Sequence, residues 1–203
     1  MTGSALLLMD FQEGICGPEG ALGTASGLSA HTAERGVLPA LARCLAGVRA
    51  AGLPVLHARV AFDPAYTRRT NRSGRFASFE EKGLMLEGSP ESEFVREARP
   101  LDGETVVQKG CVNPFIGTIL SARLSALGIS HLYLAGVATN FVVESAARHA
   151  GDSGVQVTVL EDLCASYNQE MHDFAIKKTL PLFARIDTSA SLLSGLASDQ
   201  TDS

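Results

Sequence analysis

Two ionisable residues stand where an α/β chain does its chemistry. Asp10 follows directly on Ala5-Leu6-Leu7-Leu8-Met9, and Lys109 follows a strand-like stretch centred on Val106-Val107. A carboxylate and an ammonium sharing a partly desolvated edge perturb each other's pKa, which suits proton donation or abstraction. A third stretch, Gly136-Val137-Ala138-Thr139-Asn140, lies between the apolar run Leu132-Tyr133-Leu134-Ala135 and a helical repeat of Val142, Val143, Ala146, Ala147 and Ala150. Strand, tight turn and helix put free N–H groups and the positive end of a helix dipole at the sheet edge, where an anion or developing oxyanion is stabilised. Thr139 and Asn140 are residues that can cap such a helix. Arg68, Arg69, Arg72 and Arg75 crowd into eight residues, with Arg59 just upstream, and one or two of them can hold a substrate carboxylate in a bidentate grip.

The elements that must position these groups follow from hydrophobic pattern. Residues 5–9 carry no polar interruption, as in a central parallel strand buried on both faces. Residues 14–29 are rich in glycine and small side chains and read as loop. A helix is expected over 32–51, where Val37, Leu38, Leu41, Leu45 and Val48 recur at helical spacing before Gly52. Strands are expected at 53–60, 104–108, 132–135, 155–160 and 183–187. His57, within the second strand, reads as a packed core histidine. Residues 62–88 are expected to be irregular, 89–99 a short helix opened by Ser89-Pro90, and 116–127 and 169–182 helices. Residues 193–203 read as a frayed tail. Six strands alternating with helices give an α/β fold with a parallel sheet and right-handed crossovers.

The 203 residues suit a single domain spanning 1–203. A net charge of −5 argues against a general nucleic-acid binder. No signal peptide or 18-residue apolar span is present, so no membrane association and a cytoplasmic location are expected. Cys16, Cys44, Cys111 and Cys164 are scattered, with no CxxC pair or Cys/His cluster to suggest zinc. Reduced, buried thiols are the plain reading, although Cys111, two residues past Lys109, or Cys164 could face the site.

Asp10-Phe11-Gln12, Lys109, and Gly136-Val137-Ala138-Thr139-Asn140 with the helix closing on Ala147-Arg148 resemble, in this order and spacing, the isochorismatase-like hydrolases, often called cysteine hydrolases. The resemblance covers nearly the whole chain. It implies a six-stranded, mainly parallel sheet between two helical layers, in a three-layer α/β/α arrangement. It also implies self-association as a dimer or tetramer and a non-proline cis peptide in the Val137-Ala138-Thr139 turn. Catalysis would fall to Asp10 and Lys109. Val137, Ala138 and Val142 would shape the turn, and Gln12, Arg59, Arg68, Phe115, Thr139 and Asn140 would contact a small anionic substrate. No cofactor is expected. The histidines of the family's metal-binding members have no counterpart in Val60-Ala61-Phe62-Asp63-Pro64, so no metal is expected either.

Most members carry the nucleophilic cysteine two residues after the Asn140 position, where this chain has Val142. Valine cannot ionise, so covalent catalysis from that position is excluded. Three readings remain. The isochorismate hydrolases lack the thiol and cleave a vinyl ether by protonation from the Asp, the role of Asp10 here. Alternatively, a displaced thiol at Cys111 or Cys164, or an activated water, performs amide-type hydrolysis. The third reading is a non-catalytic binding or assembly module. Burial would raise the pKa of Asp10 and Lys109 would lower it, and the sequence does not decide which prevails.

Overall fold

The computed structural model describes residues 3–201, with side chains to 198. The sheet has six strands: β1 (Ser4–Met9), β2 (Val55–Val60), β3 (Thr105–Lys109), β4 (His131–Val137), β5 (Gln156–Ala165) and β6 (Arg185–Asp187). All pairings are parallel, in the order β3-β2-β1-β4-β5-β6. The strand order reverses between β1 and β4, and in such sheets ligands bind at the carboxyl ends beside that point.

The unbroken apolar sequence of β1 matches its burial on both faces. Leu6 and Leu8 enter one core, and Ala5, Leu7 and Met9 the other. The helix α4 (Val37–Ala50) packs Leu41 and Leu45 into the first core, together with Leu192 and Leu196 of α9 (Ser189–Thr201). The opposite core takes Leu120 and Leu124 from α6 (Leu120–Ala126) and Ala146 and Ala150 from α7 (Glu144–Asp152). Each buried leucine contributes about 1.5–3 kcal/mol relative to exposure. A small third cluster of Val60, Phe62, Tyr66, Phe76, Phe79 and Met85 lies beyond the end of β2.

Several sequence expectations change. Residues 14–29 are helical: α1 (Glu13–Cys16), α2 (Ala21–Ser26) and the start of α3 (Leu28–Glu34). Their glycines serve close packing rather than chain breaking. A Cβ on Gly23 would lie 2.1 Å from Ser29 Oγ and 2.3 Å from Ile15 O. The long helix expected over 32–51 is split by Gly36, whose φ of +62° divides α3 from α4. The region 62–88 contains α5 (Gly74–Lys82), which buries Phe76 and Phe79 and ends on Gly83 at φ +64°. Residues 89–99 form two 3-10 turns, Pro90–Ser92 and Arg96–Ala98, because the intervening segment runs extended and Gln12 bridges Phe94.

The fifth strand does not end at Glu161-Asp162. It bulges there and resumes its pairing with Gly136↔Cys164. The bulged acids find partners off the sheet: Glu161 meets Arg35 at 2.8 Å, and Asp162 accepts from Ser189 N at 2.8 Å. The segment expected to fray is instead α9, up to Thr201; residues 202–203 lie outside the described residues. No helix among the described residues is long and apolar enough to cross a membrane.

Candidate active site

Asp10 is the first residue past β1, held at φ +62°. Its N–H donates to Ala58 O at 2.9 Å, and its carbonyl accepts from Gln12 N at 2.8 Å. Aspartate is among the few residues that tolerate this left-handed conformation. The turn aims the carboxyl group inward. Lys109 ends β3, with β2 between its strand and β1. The lysine stem spans that strand, and Nζ donates to Asp10 Oδ2 at 2.9 Å and to Cys111 O at 3.1 Å. Both residues are buried, at 6% and 1% exposure.

Two consequences follow. Asp10 Oδ1 is buried with no hydrogen-bond partner, so one carboxyl oxygen remains uncommitted. Burial pushes the Asp10 pKa above the ordinary carboxylate value of 3.8 and outweighs the opposing pull of the Lys109 charge and hydrogen bond. The contest left open by the sequence goes to desolvation.

Asp10 and Lys109 lie at the wall of a narrow cavity of about 60 Å³. Val137, Ala138 and Val142 form part of that wall, and the Val137–Ala138 peptide bond is cis. The following residues, Thr139–Val143, make a single π-helical turn that runs into α7. Neither Thr139 nor Asn140 caps it. The Thr139 hydroxyl instead lies 2.8 Å from His172 Nδ1, and Asn140 Oδ1 accepts from Ser166 Oγ at 2.5 Å. These two side chains brace the turn from behind and do not line the cavity. The rest of the lining is mostly apolar, with Phe76 and Phe79 of α5 and Phe141 and Tyr167 near Arg75.

Other expected contacts are placed elsewhere. Gln12 is fully buried and spends its amide on backbone, donating to Val60 O and Ser92 O and accepting from Val60 N, each at 2.8 Å. It ties the end of β2 to the 89–93 turn, and its three bonds leave it outside the cavity lining. Phe115 stacks on His149 at 4.4 Å, in the core beneath α7. Arg59 pairs with Glu93 at 3.3 Å and, with Arg68, faces a separate hollow beside β3. The arginine that does line the cavity is Arg75, which the crowded charge run had flagged without distinguishing. Its position on α5 depends on a helix that the mixed composition of 62–88 concealed.

No cysteine reaches the cavity lining. Cys111 Sγ donates to Asn113 O, and Cys164 is wholly buried, its thiol pushed up to about 12 by burial. His57 is a core histidine, with Nε2 2.8 Å from Glu104 Oε2 and its pKa lowered by burial. Among the described residues no group of three or more His, Cys, Asp or Glu side chains gathers that could hold a metal ion.

A buried carboxyl–ammonium pair thus lies at the carboxyl edge of a parallel α/β sheet, with Asp10 beside the point where the strand order reverses. Comparison with known proteins gives the family. The Isochorismatase domain profile matches residues 4–191, and the chain belongs to the isochorismatase family of hydrolases. It is 31% identical over 195 residues to the uncharacterised isochorismatase family protein YecD of Escherichia coli O157:H7, covering 95% of this chain and 96% of that one. It is 29% identical over 189 residues to the ureidoacrylate amidohydrolase RutB of Yersinia enterocolitica, covering 87% and 80%. An isochorismatase family protein from Desulfovibrio vulgaris shares the fold with a TM-score of 0.83 at 23% identity, covering 97% of this chain and all of that one.

Proposed function

We propose that the chain hydrolyses a small vinyl ether through Asp10, with no covalent enzyme intermediate. Protonated Asp10 gives its proton to the terminal carbon of the C=C bond. The ether oxygen shares the resulting positive charge as an oxocarbenium ion. Water adds to that cation, and the hemiketal collapses to a ketone and an alcohol. A proton released from the added water restores Asp10. Lys109 holds the other carboxyl oxygen and fixes its aim. The observation that carries this reading is the uncommitted Asp10 Oδ1, buried, with its pKa raised and no thiol on the cavity wall beside it. Val142 supports it by making the wall apolar, so nothing there competes for the proton.

The amidohydrolase relatives support a second reading, hydrolysis of a C–N bond by water that Asp10 activates in its ionised form. One panel separates the two: small carboxylated vinyl ethers and ureidoacrylate, offered to wild type, Asp10→Asn, and a Cys111→Ala/Cys164→Ala double variant. The expected result is vinyl ether turnover, reduced about 10²–10⁴-fold by Asp10→Asn and untouched by the cysteine changes or by thiol alkylation. Turnover of ureidoacrylate alone would move the assignment to the second reading. Loss of turnover in a folded double-cysteine variant would replace both with a displaced thiol.

A further inference from the structure

The next step rests on the reading that this cavity is the substrate site. Five arginines lie between 59 and 75, and most are committed elsewhere. Arg59 pairs with Glu93, Arg69 pairs with Glu80, and Arg68 opens on the hollow beside β3. Arg75 is different. It is the second residue of α5, its guanidinium carbon lies 5.3 Å from the centre of the Phe141 ring and 5.1 Å from that of Tyr167, and all three line the cavity. Among the described residues no carboxylate lies within ion-pair distance of it. The two rings meet edge to face, and cation–π contact with both holds the guanidinium near them while leaving its N–H donors unspent. An exposed arginine next to a mostly apolar cavity, without a counter-charge, is a ready anion receptor.

The charge balance narrows the ligand further. At the inner wall, the Lys109 ammonium is 1% exposed and its hydrogen bonds go to Asp10 Oδ2 and Cys111 O. Arg75 is then the one exposed cation in the lining among the described residues. A second anionic group on the ligand would lie against Val137, Val142, Phe76 or Phe79, where burial without a partner is costly. The cavity is small, about 60 Å³, which suits a short apolar stem. Tyr167 senses both ends: burial raises its phenol pKa, Arg75 lowers it, and Asp10 raises it. Its ring therefore lies within electrostatic reach of both charges.

We propose that Arg75, in cation–π contact with Phe141 and Tyr167, is the specificity-determining residue of this site and selects small monoanions, holding one carboxylate at the rim while a short apolar stem points to Asp10.

The chain has no tryptophan and three tyrosines, so tyrosine emission can report on Tyr167. Propionate, propionamide and malonate match the stem closely and carry one, no and two negative charges. Each is titrated against the full chain by tyrosine emission and by ligand-observed NMR. Propionate should bind saturably, and propionamide and malonate at least roughly tenfold more weakly. Arg75→Gln should weaken propionate by about ten- to a hundredfold at an unchanged melting temperature. Arg75→Lys should fall between, since it keeps the charge but loses the planar fork of donors. Equal binding of propionamide, stronger binding of malonate, undiminished binding to Arg75→Gln, or no saturable binding of propionate in either readout would each overturn the proposal. None of these readouts uses turnover. Loss of activity in Asp10→Asn therefore tests the chemistry separately, and either assignment can fail alone.

Discussion

Consider the removal of the buried ion pair, one partner at a time and then together. The contact is 2.9 Å. At an effective dielectric constant of about 20, two unit charges at that distance attract by about 6 kcal/mol. Desolvation opposes this with several kcal/mol for each ion, so the pair contributes little net stability. Breaking it is another matter. Asp10→Asn keeps an acceptor oxygen but no negative charge, so the buried Lys109 ammonium is left with only neutral acceptors, and the change should cost about 3–5 kcal/mol. Asparagine tolerates the φ of +62°, so no backbone strain is added. Lys109→Met should cost less at neutral pH. Asp10, already raised by burial, can take up a proton and become a neutral acid. The double variant Asp10→Asn/Lys109→Met replaces both charges with neutral groups of similar shape. It should match wild type or exceed it by up to about 4 kcal/mol. Urea unfolding followed by circular dichroism, with a common m-value, measures all four corners of the cycle. A double variant less stable than either single change would make the pair a structural strut, and an Asp10→Asn as stable as wild type would show that no uncompensated charge is left; either result would refute the reasoning.

Two further outcomes are expected. If Asp10 is the proton donor, kcat/KM falls as pH rises through its elevated pKa; the folded protein also holds a proton that the unfolded chain releases near 3.8, so the stability contribution of Asp10 is complete below that value and is lost as pH rises through the folded one. A rate that instead climbs with pH over that range would mark Asp10 as a base. Gly110→Ala should destabilise by roughly 1–3 kcal/mol or more, because its Cβ would lie 1.7 Å from Arg68 O and force the 68–70 segment away from the turn after β3, as thermal unfolding of the variant would reveal.

The site was legible where sequence pattern and sheet geometry say the same thing. An apolar run closed by one polar residue located the end of β1, and hence Asp10, because a doubly buried strand leaves little freedom of register; in the edge strand β3 the pair Val106-Val107 marked the strand that Lys109 closes. The lateral order was not legible. Pattern does not show that β2 lies between the two strands, so that only the reach of a lysine side chain closes the gap. The glycine-rich 14–29 stretch read as loop because glycine is usually a breaker. At Gly23 it is instead the residue that permits a close approach between helical segments, which local pattern cannot distinguish. Gln12 and Phe115 show the same limit. Each has a residue type that suits a ligand, and each is consumed by a tertiary partner distant in sequence, Val60 and Ser92 for one and His149 for the other.

The arginine run shows why charge alone could not choose a substrate contact. Composition weighted Arg59, Arg68, Arg69, Arg72 and Arg75 equally, since each can grip a carboxylate. The choice is made by what else each can reach. A carboxylate already within ion-pair distance lowers an arginine's affinity for a ligand, because the ligand must compete with a partner that costs little to keep. Glu93 and Glu80 take Arg59 and Arg69 out of contention in this way. Aromatic faces do not. Phe141 arrives from the turn after β4 and Tyr167 from the end of β5, so the contact that positions Arg75 exists only once α5 has folded over both strand ends. The helix that lines the cavity holding Asp10 with Phe76 and Phe79 thus also brings a cation to its rim.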